Sequence, residues 1–236
     1  MSFDVNPAAV DVRHPSQFAI EAAGFIVEQA RASIAARGLF RFGLAGGRTP
    51  EAVYAELAKR AAEIPWNQVQ ITFGDERCVP PEHPDSNFRM AGALLDHVPI
   101  PSGNIFRLRG EIDPDAAVAE YEAKLRAVAS RFSEERYRHD LLLLGMGEDG
   151  HTASLFPGAD SLNETERNLL PVIGPKPPPQ RVTFTLPLIN ASRRVCFLVT
   201  RRGKEAVLEE VLKGEQRYPS ARVRPVDGAV TWFIGD

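Results

Sequence analysis

Four consecutive leucines, Leu141–Leu144, lead directly into a glycine-rich segment that ends at His151. Every residue of this run is apolar, whereas a strand with one face in water would alternate apolar and polar residues. We therefore expect a strand that is covered on both faces, as in a parallel sheet with helices packed against it. The glycines that follow would then lie at the carboxyl edge of the sheet, where ligands bind in open α/β sheets.

Strand-like and helix-like segments alternate along the rest of the chain. Strands are predicted over residues 40–45, 69–73, 141–144, 182–186, 195–200 and 230–234, and the proline-rich residues 170–180 are predicted to form a loop. Helices are predicted over 16–36, after a Thr49 cap with Pro50 at the first helical position, after a Ser86 cap, from Asp113-Pro114, and over 204–213 before Gly214. This order implies an α/β fold with a doubly wound, mostly parallel, Rossmann-like sheet, helices on both faces and a single domain, residues 1–236.

Composition narrows the class of protein. The 236 residues are 44% hydrophobic and 25% charged, as in ordinary globular proteins, and the net charge of -3 does not fit a nucleic-acid binder. Cys78 and Cys196 are too far apart and too few for a disulfide framework, which favours a cytoplasmic protein. No signal peptide or membrane-spanning run is evident, and the five histidines show no paired metal-ligand spacing.

The segment after predicted strand 40–45 combines two glycines with a cation and a helix start. Gly46 and Gly47 allow the backbone to approach a ligand closely. The helix behind them directs free N–H groups and its positive dipole end to the same place, which favours an anion such as phosphate. Arg48 adds a fork for phosphate oxygens, and Thr49 completes the loop. The alternative is an ordinary strand-to-helix turn.

A second polar segment follows predicted strand 69–73. On a functional interpretation, Asp75 orients a hydroxyl or another side chain and Arg77 meets an anion, with Asn87 later in the same motif. The alternative is a solvated loop, and this segment alone does not separate the two.

Residues 145–151 formally match the G-x-G-x-x-G dinucleotide fingerprint, but their context does not fit it. Glu148 and Asp149 would put two negative charges where a pyrophosphate should lie, and only a short stretch precedes Pro157. We interpret the segment as a turn that presents Asp149 and His151. An imidazole, with an ordinary pKa near about 6.5, can act as a neutral base that an aspartate orients. The alternative is a structural turn with a surface histidine.

Two later cations, Arg181 and Lys204, complete the set of candidates. Arg181 follows a proline run, and Lys204 lies at a predicted helix start. Both suit phosphate binding, although either alone would be read as an ordinary surface cation.

Together these segments resemble the 6-phosphogluconolactonase family, within the wider glucosamine-6-phosphate isomerase/deaminase superfamily. Residues 144–157, LGMGEDGHTASLFP, are the most specific match. Residues 44–50 resemble the family's Ser-Gly-Gly-Ser-Thr-Pro loop, residues 74–77 with 84–87 its second motif, and residues 175–183 a further segment. The matches run in order along the chain.

The resemblance implies hydrolysis of 6-phospho-D-glucono-1,5-lactone to 6-phosphogluconate in the pentose phosphate pathway, without metal or cofactor. His151 would be the general base that activates water, with Asp149 or Asp75 as its partner; the sequence leaves that choice open. We expect a monomer that acts on a small phosphosugar lactone and binds neither nucleic acid nor membrane. The residues implied to bind substrate or phosphate are Gly46, Gly47, Arg48, Thr49, Arg77, Asn87, Arg181 and Lys204.

Two departures from the family pattern bear on function. Ala45 and Arg48 stand where the family loop has serines, and we hypothesise that Arg48 replaces their contacts to phosphate. The aminosugar-phosphate deaminases of the same superfamily carry a glutamate at the position of Phe156. Phenylalanine cannot transfer a proton, which argues against a deaminase. The alternatives that remain beside the lactonase are a deaminase and a non-catalytic sugar-phosphate-binding protein.

Overall fold

The computed structural model describes residues 9–236. Its main sheet has six strands, each parallel to its neighbours. This sheet confirms the predicted parallel α/β architecture, and it adds an edge strand, β1, that the sequence patterns did not indicate. In spatial order the strands are β1 (Ala9–Arg13), β9 (Ala229–Gly235), β8 (Arg194–Thr200), β5 (Leu141–Leu144), β2 (Phe40–Leu44) and β3 (Val69–Phe73).

Helices connect the strands and cover both faces of the sheet. Within residues 9–236, none of them is both long and apolar enough to cross a membrane. The α-helices are α1 (Phe18–Arg37), α2 (Arg48–Lys59), α3 (Asn87–Met90), α4 (Gly92–Leu95), α5 (Pro114–Arg131), α6 (Leu186–Asn190) and α7 (Glu205–Lys213).

The leucines of β5 divide between two buried clusters, one on each face of the sheet. Leu141 and Leu143 pack in the cluster that contains the apolar residues of α1 and α2, whereas Leu142 and Leu144 pack in the cluster of α5 and α7. All four are buried, so the expectation of a strand covered on both faces is confirmed. Because the two clusters are built on one sheet, we propose that the chain is a single domain.

A second sheet of three antiparallel strands joins the first at its carboxyl edge. It contains β4 (Asp75–Arg77), β7 (Gln180–Phe184) and β6 (Leu169–Ile173), in that order. Gly74 links the two sheets, since its N–H donates to the Leu44 carbonyl at the end of β2 (3.0 Å) and its carbonyl accepts from the Phe184 N–H (2.8 Å).

The prediction that all of residues 170–180 form a loop was wrong. Residues 174–179 form the loop of a β-hairpin, and the flanking residues belong to its two strands, β6 and β7. Pro171 lies inside β6, which is possible because β6 is an edge strand and needs no donor on its outer side. Asp75 and its neighbours likewise form β4 instead of a solvated loop.

Four adjacent strands of the main sheet, β8, β5, β2 and β3, bring the predicted site segments to one edge. Because these strands are parallel neighbours, the residues that follow them emerge side by side. The loops concerned are 201–204 after β8, 145–151 after β5, 45–47 after β2 and the Gly74 link after β3.

Candidate active site

The loop between β2 and α2 presents a helix N-terminus to the edge of the sheet. Gly47 is the N-cap, with φ of 103°, a left-handed backbone conformation that favours glycine. Helix α2 therefore begins at Arg48, and the prediction of Thr49 as the cap was wrong, because Thr49 lies inside the first turn. Among the described residues no side chain caps this helix, so its first N–H groups remain open to a ligand.

Side chains on either side hold this loop in place. The Tyr54 hydroxyl donates to the Ala45 carbonyl and accepts from the Ala45 N–H, both at 2.9 Å. Gly46 packs so closely on the Asn87 amide that a Cβ added at Gly46 would lie 2.1 Å from Asn87 Oδ1. Arg48 is exposed and forms no hydrogen bond or ion pair with the part of the chain described. The backbone at Ala45 is thus held in place by Tyr54, while the exposed side chain of Arg48 is not engaged by the described residues.

The segment after β3 is buried rather than solvated. Asp75 is 7% exposed and Asn87 4% exposed. Asn87 Nδ2 donates to Asp75 Oδ1 (3.0 Å) and to the Asp75 carbonyl (2.9 Å), so this amide is engaged inside the protein. Its assignment as a substrate ligand stays a prediction.

Glu76 is a structural carboxylate that the sequence analysis did not single out. Its two oxygens accept from the N–H groups of Asn87 (2.7 Å) and Phe88 (2.8 Å) at the start of α3. Burial raises the pKa of Glu76, and these backbone hydrogen bonds oppose that rise. The contacts join residues 11 and 12 positions apart, a spacing that neither helix nor strand periodicity covers.

The turn after β5 brings Asp149 and His151 together. His151 Nδ1 lies 2.5 Å from Asp149 Oδ1, and Oδ1 also accepts from the His151 N–H at 3.2 Å. Because a carboxylate only accepts, Nδ1 carries the proton in this bond, and Nε2 is the free nitrogen of the neutral ring. Burial opposes ionisation of Asp149, but the charge of His151 and the hydrogen bonds from it hold the pKa of Asp149 below its ordinary value.

Glycines allow this turn to be so tight. A Cβ at Gly147 would lie 2.2 Å from His151 Nδ1 and 2.7 Å from Asp149 Oδ1. Gly150 has φ of 77°, and its carbonyl accepts from Ser220 Oγ at 2.9 Å. The side chains of Asp149 and His151 therefore pack directly against the backbone of Gly147.

His151 and Asp75 do not share a hydrogen bond. The carboxylate of Asp75 accepts from Ser154 Oγ (2.6 Å) and from Asn87, whereas that of Asp149 contacts the imidazole. The sequence left open which of the two aspartates contacts His151, and in the structure it is Asp149. Ser154 lies within the family-like segment 144–157, but the sequence assigned it no role.

Arg181 is a buried cation without a carboxylate partner among the described residues. It is 7% exposed, donates to the carbonyls of Lys176 and Pro178 (both 3.2 Å), and lies opposite Arg77 in the pairing of β4 with β7. Burial lowers the pKa of Arg181, and the charge of Arg77 lowers it further. An anionic ligand would supply the missing charge.

The Phe156 ring lies between this cation and the histidine. Its centre is 4.9 Å from that of the His151 ring and 5.7 Å from the Arg181 guanidinium carbon. Arg77 donates to the Asp85 carbonyl at 2.8 Å, while its buried Nε has no partner in the described structure. Phe156 thus contacts both His151 and Arg181, and Arg181 in turn lies opposite Arg77.

Lys204 reaches the Asp149–His151 turn from the start of α7. Its half-buried Nζ donates to the Met146 carbonyl, and burial lowers the pKa of the amine while the charge of Glu148 opposes that shift. Within residues 9–236, no three His, Cys, Asp or Glu side chains are arranged to hold a metal ion.

A family model, curated relatives and solved structures all relate this chain to the same family. The family model for glucosamine-6-phosphate isomerases/6-phosphogluconolactonase matches residues 13–232. A 6-phosphogluconolactonase of Synechocystis sp. is 40% identical over 95% of this chain and 94% of that protein, and the human 6-phosphogluconolactonase is 39% identical over 85% and 80%. The crystal structure of 6-phosphogluconolactonase from Thermotoga maritima is 29% identical, with a TM-score of 0.84 over 97% of this chain and 99% of that one. The chain belongs to the glucosamine-6-phosphate isomerase/6-phosphogluconolactonase family.

Proposed function

We propose that this protein hydrolyses 6-phospho-D-glucono-1,5-lactone to 6-phosphogluconate in the pentose phosphate pathway. The observation that carries the proposal is the His151–Asp149 pair, joined through the Phe156 ring to a buried and unpaired Arg181. A base beside an anion-binding cation is the arrangement that a phosphorylated ester substrate requires. The curated relatives named 6-phosphogluconolactonase support the choice of substrate.

In the proposed reaction His151 acts as a general base on water. Nε2 takes a proton from the water as its oxygen bonds to the lactone carbonyl carbon, and the carbonyl oxygen becomes an oxyanion. Backbone N–H groups of the glycine-rich loops stabilise that charge. The bond from the carbonyl carbon to the ring oxygen then breaks, and the ring oxygen receives the proton back from Nε2. Asp149 keeps Nδ1 protonated throughout and stabilises the imidazolium that forms.

The substrate phosphate is assigned to the cations and the helix N-terminus beside this base. A phosphate monoester carries about -1.5 to -2 charges at pH 7. The assigned groups are the backbone of Gly46 and Gly47, with Arg48, Thr49, Arg77, Arg181 and Lys204. Fixing the phosphate positions the distant carbonyl against His151, so binding energy is used to orient the reacting atoms.

A deaminase is the second candidate, because the matched family model includes isomerases. Its chemistry requires a proton-transfer group where this chain has Phe156, whose apolar ring lies on His151. We therefore expect no ammonia release from glucosamine 6-phosphate. A binding protein without activity is the third candidate, and it would bind 6-phosphogluconate without accelerating lactone opening.

The deciding experiment measures hydrolysis of freshly prepared lactone above its spontaneous opening, for wild type, His151→Ala and His97→Ala. We expect the first variant to lose about 10²–10⁴-fold in kcat. His97 is exposed and its side chain forms no hydrogen bond or ion pair with the described residues, so the second variant should match wild type. A wild-type rate equal to the buffer rate would refute the activity, whereas an unimpaired His151→Ala would refute only the role of His151.

We also propose that the protein is cytoplasmic and monomeric. Cys78 and Cys196 are free thiols, as expected in a reducing compartment. Cell fractionation tests the location, and the mass in solution from light scattering tests the oligomeric state.

A further inference from the structure

Asp75 is a buried carboxylate that contacts neutral donors only. Its oxygens accept from Ser154 Oγ (2.6 Å) and from Asn87 Nδ2 (3.0 Å), and it forms no ion pair with the described residues. A carboxylate in such a place is costly unless its lone pairs are satisfied, so these two contacts account for its presence there. With 7% of its surface exposed, Asp75 is poorly placed to exchange a proton with a substrate.

One of these contacts fixes the loop that carries His151. Ser154 follows His151 closely in the chain, and its N–H donates to Thr183 Oγ1 at 3.1 Å while its hydroxyl donates to Asp75. Asp75 and Thr183 are opposite each other in the pairing of β4 with β7. The two strands of the second sheet therefore hold both the backbone and the side chain of Ser154.

The other contact leads to the phosphate loop. Asn87 donates to both the side chain and the carbonyl of Asp75, and its amide oxygen packs on Gly46. A continuous set of contacts thus runs from Gly46 through Asn87, Asp75 and Ser154 to the loop of His151.

We propose that Asp75 is a positioning residue that holds the phosphate loop and the His151 loop in fixed relation and does not itself transfer a proton. The inference rests on the proposed function and refines the sequence-based expectation that Asp75 takes part in catalysis. A side chain with two acceptor oxygens suits this place because each oxygen has one donor neighbour. An asparagine at this position would offer one acceptor oxygen and would turn its NH₂ group toward one of the two donors.

The test is a double-mutant cycle of Asp75→Asn and Ser154→Ala, with kcat, KM and the pH profile of kcat measured for each form. A displacement of the base by about 1 Å costs up to roughly 10²-fold, so each single variant should lose about 10- to 100-fold in kcat. Because the two residues act through one hydrogen bond, the double variant should be little worse than the poorer single one. The pH at which the profile bends should not move, since the group that accepts the proton is unchanged.

Two controls distinguish a local effect on the site from a general loss of folding. Ser33→Ala removes a buried hydroxyl in α1, far from the site segments in sequence, and should retain wild-type kcat. Thermal unfolding reports whether each variant is folded at the assay temperature, and if Asp75→Asn is not, Ser154→Ala decides alone. The inference is overturned if Ser154→Ala retains wild-type kcat, if the losses multiply, or if Asp75→Asn shifts the bend of the profile. A failed proposed function would appear differently, as a wild type without activity.

Discussion

Asp149 Oδ1 lies 2.5 Å from His151 Nδ1, two residues further along the same turn. Both groups are partly exposed, with 49% of the Asp149 side chain and 32% of the His151 side chain accessible. The bond selects the ring tautomer and leaves Nε2, the nitrogen that does not contact the aspartate, without a proton in the neutral ring.

We predict that Asp149→Asn lowers kcat by about 10²–10⁴-fold, because an amide can present its NH₂ group to Nδ1 and favour the wrong tautomer. Glu148→Gln is the matched control. It removes the same charge from the adjacent, exposed position and should change kcat little. Initial rates with fresh lactone give the kcat of both variants. If both lost the same factor in kcat, Asp149 would contribute through its charge and not by orienting the ring.

Gly147→Ala should also disable the base, although it alters no functional group. The added Cβ would lie 2.2 Å from His151 Nδ1, so the ring must turn away from Asp149. We expect a loss in kcat of about 10²-fold, as for other misplaced catalytic groups. Gly145→Ala, in the same turn, meets no atom within 4 Å and should keep normal activity. If the two variants had similar kcat values, the close approach at Gly147 would be irrelevant to catalysis.

The local patterns of the sequence were sufficient for five of the six strands of the main sheet and for the Asp149–His151 turn. The run Leu141–Leu144 indicated a strand covered on both faces, and its four side chains do divide between two clusters. The Asp149–His151 contact spans two residues, so the geometry of one turn determines it. Such features depend on the periodicity and chemistry of neighbouring residues, which a single sequence contains.

The supporting contacts of the site could not be predicted in this way. Ser154 and Asp75 are 79 residues apart in the chain, and they meet only because β4 pairs with β7. That pairing was hidden because β4 has three residues and β7 follows a proline-rich loop. Helix α2 likewise begins at Arg48 and not after Thr49 because Gly47 adopts a positive φ, a conformation that glycine permits but that no local pattern requires. Contacts of this kind follow from tertiary structure.

We predict that Arg181→Ala raises KM for the lactone and abolishes stabilisation by phosphorylated ligands. Wild type at about 100 times the Kd of 6-phosphogluconate should gain about 2.7 kcal/mol in the free energy of unfolding, and the variant should gain little. Without ligand, losing a buried and unpaired cation should leave stability unchanged or raise it. Arg202→Ala, at an exposed position, is the control for charge. Unfolding curves with and without ligand measure the difference, and equal ligand shifts in wild type and Arg181→Ala would argue against an anion at Arg181.

Arg48→Ser restores the serine that the family loop has at this position. If Arg48 contacts phosphate, KM should rise while kcat changes little, because the contact is made equally before and during the reaction. Raising the salt concentration should raise the KM of wild type more than that of the variant, because salt screens the attraction between an exposed arginine and the phosphate. Steady-state kinetics at two ionic strengths provide the measurement, and an unchanged KM would refute the proposed role.

His139 is a buried histidine at the opposite end of β5 from the Asp149–His151 turn. Its Nε2 is 2.8 Å from Thr72 Oγ1 and its Nδ1 is 3.4 Å from Ser192 Oγ. Burial, and secondarily the charge of Arg41, lowers the pKa of His139 to about 3. The folded protein therefore keeps this ring neutral over a range in which the unfolded chain protonates it.

The stability of the protein should consequently fall as the pH falls from about 6.5, the ordinary pKa of histidine, toward 3. In that window the unfolded state binds one proton more than the folded state at this site, which removes about 1.4 kcal/mol of unfolding free energy per pH unit. Above the window the site contributes no pH dependence. His139→Gln should make the slope between pH 4.5 and 6 shallower by about one proton, whatever its effect on absolute stability, whereas His97→Gln, at an exposed position, should leave it unchanged. Urea titrations across this range measure the slope, and identical slopes in wild type and His139→Gln would show that His139 is protonated equally in both states.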